Sequence, residues 1–332
     1  MLHILVWLMR TPEGFRHLEC NEGRAGEGTG SIGQKTLRKP IQCAGIGLHS
    51  GAQISMTLRP APADSGIVFV RLDHGGALIP ALYDRVTGTT LGTSLGGRGG
   101  PVVGTVEHLM AALWGCEIDN LFVEIDGPEV PAMDGSAAPF VDMIMDAGII
   151  EQEALRHFIK VWQRVDIVDG EKTISLIPTE TFSINLSIEF NHKAVARQSS
   201  ILDGGPVAFR SEISSARTFG FIHEVEALRT AGLARGGSLE NSIVVGDENT
   251  GILNEGGLRY ANEFARHKVL DCVGDLYLAG KPMLARVEAH RSGHELNNAL
   301  LKKLFSDEEN WSLELAGANA DTWQAVPALA QA

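Results

Sequence analysis

Apolar and polar positions begin to alternate in an orderly way near Lys35. The segments "AQISMTLRPA" (52–61) and "SGIVFVRLD" (65–73) have the two-residue period of half-buried strands, with a Pro/Ala/Asp turn between them. "LGGRGGP" reads as a glycine-rich loop. The period then changes in "TVEHLMAALWG", where Val106, Leu109, Met110 and Leu113 form one stripe of a short helix. Thr105 is its expected N-cap and Gly115 its stop. "NLFVEIDG" is another strand, and "APFVDMIMDAG" a second helix ended by Gly148.

From about Ala154 the pattern restarts, with strands in "HFIKVWQRVDIVDG", "KTISLIPT" and "FSINLSIEF". A mixed segment (211–245), a long helix in "FARHKVLDCVGDLYLAG" (264–280), the strand "KPMLARVEAH" and the helix "HELNNALLKKLF" follow. Strands followed by helices thus occur twice, in sets of about 120–150 residues, which predicts an α+β fold built on a duplicated unit. The expected organisation is a disordered extension (1–33), a first α+β domain (34–153), a second (154–308), and a loose, Ala-rich tail (309–332).

The long helix raises the first chemical question. His267, Asp271 and Asp275 stand at i, i+4 and i+8, on one face of a helix whose other positions are largely apolar. Buried carboxylates are costly unless something pairs with them. Histidine and carboxylate at i and i+4 can share a metal ion, although the same spacing also serves a hydrogen bond inside a helix bundle. Glu107 and His108 are adjacent in a different predicted domain. With His108 as third ligand the site would be His₂Asp with one open position, as in catalytic zinc centres, and Glu107 could take a proton from water there. Glu107 would equally suit a helix N-terminus for its charge alone. His294 at a helix start could be a cap, Lys268 a solvated lysine on a buried helix, and Asp134 either a cap or a catalytic group.

Other chemistries are excluded. "HEVEA" and "HELNN" lack the second histidine of HExxH, and "GIGLHSG" is neither a dinucleotide fingerprint nor a P-loop. The composition is that of an ordinary globular chain, 44% hydrophobic and 21% charged. A net charge of −13 without a Lys/Arg block argues against nucleic acid and against general affinity for an anionic membrane. The four cysteines (Cys20, Cys43, Cys116, Cys272) form no CxxC pair, which suggests a reducing, cytoplasmic setting. No apolar run reaches the roughly 20 residues of a membrane span, and "MLHILVWLMR" lacks the basic start and cleavage site of a signal peptide.

Seven stretches, in order, carry a resemblance: "GIGLHSG", "LRPAPADSG", "TVEHLMAAL", "IDNLFVEIDGPEVPAMDGSAAPF", "SARTFGF", "LNEGGLRYANEFARHKVLDCVGDL" and "SGHELNNALL". From about Lys35 to Phe305 the chain resembles the UDP-3-O-acyl-N-acetylglucosamine deacetylases, zinc amidases of lipid A and lipopolysaccharide synthesis in Gram-negative bacteria. "TSLGGRGGPVVG" and residues 194–210 match only loosely, and no fused dehydratase domain is seen.

The resemblance implies two similar domains, each a sheet with two helices, packed as a β-α-α-β sandwich, with a βαβ insert (about 216–245) in the second. It implies His108, His267 and Asp271 as ligands of one catalytic Zn²⁺, a set that iron(II) also suits, and Glu107 as general base. His294 matches the group that stabilises the oxyanion and protonates the leaving amine, and Asp275 the carboxylate that orients it. Thr218 and Lys268 match polar groups beside the reacting carbonyl, and Lys172 a lysine near the uridine diphosphate. The family's acyl passage is built by the βαβ insert, for which Phe219 and Phe221, with Leu228 and Leu233, are suitable lining, although the same residues would equally serve as core. The implied partner is the acylated UDP-amino sugar; a monomer is expected, with at most peripheral membrane association. Rival readings are a zinc amidase for another acylated amino sugar, and a pseudoenzyme that binds lipid or nucleotide sugar without turnover.

Overall fold

The computed structural model describes residues 32–97 and 99–316. A five-stranded sheet carries, in spatial order, Ile41–Ile46, Gln53–Pro60, Leu121–Ile125, Ile67–Arg71 and Ala77–Pro80. Leu121–Ile125 is parallel to Ile67–Arg71 and antiparallel to Gln53–Pro60. Helix α1 (Glu107–Gly115) precedes that central strand and α2 (Ala138–Ala147) follows it. Ile54, Met56 and Leu58, spaced by two, are buried on the inner face, as the alternation predicts.

The second sheet repeats this order. Val165–Asp169, Lys172–Pro178, Met283–His290, Ser183–Glu189 and Arg197–Leu202 lie side by side. Its central strand, Met283–His290, again has a parallel neighbour on one side and an antiparallel one on the other. Between Arg197–Leu202 and that central strand come the short α3 (Gly205–Ala208), α4 (Ile222–Thr230) and α5 (Glu263–Tyr277). Helix α6 (His294–Phe305) follows. The first and last strands of each repeat also pair, Gly33–Leu37 with Ile149–Leu155 and His157–Val161 with Trp311–Leu315. The fold is therefore α+β and duplicated, and α1 packs along α5 between the two sheets, a β-α-α-β sandwich. The βαβ unit is also present: Phe219–Phe221 runs parallel to Ile243–Val245 with α4 between them.

Four expectations need correction. Residues 309–316 are not the start of a loose tail: Glu308–Asn310 form a turn of 3₁₀ helix, and Trp311–Leu315 complete the second sheet. The remainder of that expected tail, and residues 1–31 of the expected extension, lie outside the described residues. Gly33, placed in the extension, already belongs to a strand. Thr105 does not cap α1; its φ is +52°, and its hydroxyl donates to Glu129 Oε1 at 2.8 Å, leaving Val106 at the cap. The start of the expected glycine loop (95–101) is strand instead: Ser94–Gly96 lies between Val86–Gly88 and Val102–Val103.

One glycine decides how closely the layers meet. A Cβ on Gly274 of α5 would fall on the main-chain carbonyl of Glu107, so the helices touch backbone to backbone. Gly274→Ala is expected to cost at least the ~1–3 kcal/mol typical of overpacking. A lower melting temperature with reduced metal content would register it; a parental melt would show that the seam can relax.

Candidate active site

Three helix segments converge between the sheets. Helix α5 presents His267, Asp271 and Asp275 on its buried face, α1 opens with Glu107 and His108, and α6 opens with His294. Helical periodicity aligns the first three, and the absent side chain at Gly274 brings α1 onto the same face.

His108 Nε2 lies 3.5 Å and His267 Nε2 3.3 Å from Asp271 Oδ1. A tetrahedral centre with bonds of about 2.0–2.1 Å sets neighbouring donors about 3.3–3.4 Å apart, so the spacing fits one divalent ion. His267 Nδ1 donates to the carbonyl of Ala216 at 3.1 Å, which leaves the Nε2 lone pair facing Asp271. Burial lowers the His267 pKa to about 4, keeping the ring neutral as a ligand must be. Asp271 Oδ1 is buried with no hydrogen-bond partner, whereas Oδ2 accepts from Lys268 Nζ at 2.6 Å. Burial opposes the Asp271 charge, but His267, Lys268 and His108 outweigh it and hold the carboxyl well below its ordinary range. An ionised, unpaired buried oxygen beside two imidazole nitrogens is a cation's donor set.

Glu107, His294 and Asp271 form an overlapping triplet whose ligand-type atoms lie within 4.8 Å of one another. Burial raises the Glu107 pKa, and Asp275 and Asp271 add to this, although His294 and His108 oppose it. His294 Nδ1 donates to Asp275 Oδ2 at 2.8 Å. Burial would discharge that ring, yet Asp275, with help from Glu107, raises its pKa to about 9. The site thus holds a carboxylate poised to take a proton and an imidazolium poised to give one.

The other residues singled out from sequence divide into two groups. Thr218 lies two residues beyond Ala216, whose carbonyl accepts from His267 Nδ1, and Thr218 N donates to Gly135 O at 2.8 Å. Phe219 packs edge-on to Phe264 at 4.9 Å, with its centroid 6.3 Å from that of His267. Phe221 is a layer further out, against Phe190 at 5.7 Å. Lys172 is exposed and is not drawn into the cluster, but the adjacent Glu171 pairs with Arg291 at 2.7 Å, linking its turn to the loop before His294. Asp134 accepts from Ser136 N and Oγ and pairs with Arg259 at 2.9 Å, a turn-stabilising arrangement.

Two site residues were missed. Asn297 Nδ2 donates to Asp275 Oδ2 at 2.8 Å. It falls in the apolar phase of α6, near Leu296, Leu300 and Leu301, and that misplaced polarity was its signal. Thr93, buried in "LGTSLGG", donates from its main chain to Glu107 Oε2 at 2.9 Å and from Oγ1 to Asp275 Oδ1 at 2.5 Å. Nothing in its local pattern marks it.

A family model described as UDP-3-O-acyl N-acetylglycosamine deacetylase matches residues 34–306. Among curated proteins, the UDP-3-O-acyl-N-acetylglucosamine deacetylase of Myxococcus xanthus is 53% identical over 278 residues, covering 83% of this chain and 88% of its own. The similarly named protein of Acidithiobacillus ferrooxidans is 50% identical over 283 residues, 84% of this chain and 92% of its own. That of Syntrophotalea carbinolica is 46% identical over 290 residues, 87% and 93% of the respective chains.

Proposed function

We infer the reaction from family: the chain belongs to the UDP-3-O-acyl N-acetylglycosamine deacetylases. It is a hydrolase that splits the N-acetyl amide of UDP-3-O-acyl-N-acetylglucosamine, yielding acetate and the free amine, in lipid A synthesis. The observation that supports this chemistry best is the convergence of a buried donor set with a carboxylate and a carboxylate-backed histidine.

His108, His267 and Asp271 would hold one metal ion, for which zinc is our assignment, iron(II) being the other ion that suits this set. Bound there, it supplies Lewis acidity to the amide carbonyl and to the attacking water. Glu107 accepts the proton of that water; its raised pKa brings its basicity towards the working pH. His294 donates a proton to the departing amine nitrogen, which leaves poorly as an anion, and its positive charge favours the oxyanion that precedes cleavage. Asp275 keeps His294 charged and fixes its ring. Lys268, with one proton committed to Asp271, has two left for the reacting carbonyl, and Thr218 supplies a neutral donor there. In this reading Phe219 and Phe221 line the acyl passage and Lys172 meets the diphosphate at the rim.

The enzyme works as a cytoplasmic monomer in this proposal. The free thiols of Cys43, Cys116 and Cys272 agree with a reducing compartment. No helix among the described residues is long and apolar enough to cross a membrane.

The test is acetate release from UDP-3-O-acyl-N-acetylglucosamine by metal-loaded protein, with chelated protein as control. Release that chelation abolishes is expected and would support the assignment. Folded, loaded protein that releases none across several acyl lengths would overturn it, and favour an amidase for another acylated amino sugar.

A further inference from the structure

Every polar group of Thr93 is engaged, two of them by carboxylates of the candidate site. Its N–H donates to Glu107 Oε2 at 2.9 Å, its carbonyl accepts from Val106 N at 3.2 Å, and its hydroxyl donates to Asp275 Oδ1 at 2.5 Å. It is 1% exposed, on a segment that neither α1 nor α5 contains. The two carboxylate contacts each occupy the oxygen that the chemistry does not need. With Oε2 of Glu107 taken, Oε1 is left for a proton. With Oδ1 of Asp275 taken, Oδ2 is left to receive His294 Nδ1 and Asn297 Nδ2, both at 2.8 Å.

We propose that Thr93 is a positioning residue that holds the base and the carboxylate behind the acid in one frame, so that a single side chain and its own amide register both proton-transfer groups. The proposal rests on the reading of Glu107 and His294 as that pair. A rotated Asp275 would leave His294 without a fixed acceptor for Nδ1–H, and its Nε2 proton would no longer meet the leaving nitrogen in one orientation. The Thr93 hydroxyl is buried and engaged by Asp275, so binding should be spared.

Thr93→Val removes the hydroxyl at nearly constant volume and keeps the amide. The expected result is a kcat lower by about 10- to 100-fold, the loss of one charge-assisted hydrogen bond, with KM and metal content at parental values. Thr93→Ser should recover most of that rate. The deciding measurement places Thr93→Val in a His294→Ala background, where it should cost less than about twofold more, because the group it serves is already gone. An equal proportional loss in both backgrounds, or a serine variant as slow as the valine, would overturn the proposal and leave a packing role. If His294→Ala alone is as fast as the parent, the acid assignment fails, and this inference with it. If it is slow while Thr93→Val is not, only the inference fails. Should Thr93→Val not fold, Thr93→Ala, which adds no volume, is judged by the same criteria.

Discussion

Glu107→Gln should fold, load metal in the parental ratio and lose about 10²- to 10⁴-fold in kcat, with little change in KM. Glutamine has the shape of the residue it replaces, and its carbonyl oxygen can still accept from Thr93 N. What it cannot do is take a proton from water. The proposed ligands His108, His267 and Asp271 are untouched, so metal analysis and kinetics should part company. In chelated protein the variant should also melt higher than the parent at neutral pH. Burial raises the Glu107 pKa, so its ionised form destabilises the fold, and that penalty sets in as pH rises through the ordinary carboxylate range. A kcat within about fivefold of the parent would move the base role to another residue, with His294 the first to examine.

The second large effect is that of pH, read through His294. A plot of kcat/KM against pH should be bell-shaped, because one group must be ionised and the other protonated. The acidic limb belongs to Glu107 and should lie above the usual carboxylate range. The alkaline limb belongs to His294, whose pKa Asp275 raises to about 9 against the effect of burial; a cation on Asp271 would bring it down from there. His294→Ala should lower the plateau by about 10²- to 10⁴-fold and remove the alkaline limb. The same titration affects stability. His294 is more basic folded than unfolded, so its contribution is complete below its unfolded pKa of about 6.5 and is lost as pH rises through about 9. An alanine variant that keeps both limbs would sink the assignment.

Much of this centre is legible in the sequence because it breaks the rules of a core. His267, Asp271 and Asp275 are polar at the helical period inside an apolar helix, a pattern that folding alone does not explain. The duplication was equally legible, since the change from period two to period 3.6 happens twice. The errors arose where a local rule met a stronger tertiary one. Thr105 has the chemistry of an N-cap, yet the chain enters α1 at positive φ and Glu129 takes its hydroxyl. Trp311–Leu315 alternates weakly beside an Ala-rich stretch, and its strand exists because His157–Val161 offers it an edge. Thr93 was invisible for a different reason. It acts through one amide and one hydroxyl, which almost any buried threonine possesses, and only the path of the chain aims them.

The seam at Gly274 has a consequence for how molecules get in and out. Two-layered enzymes often work as clamshells, parting to admit a substrate and closing over it. Here the leaves of the shell meet main chain to main chain, at the residue proposed as the base, with the proposed ligands divided between them. To part them would dismantle the donor set and the proton relay together. Substrate entry by parting the layers is therefore disfavoured, and entry along the edge of the sandwich is the expected route. The pace of entry and product departure should then follow the suppleness of those margins, with the Gly274 seam kept closed.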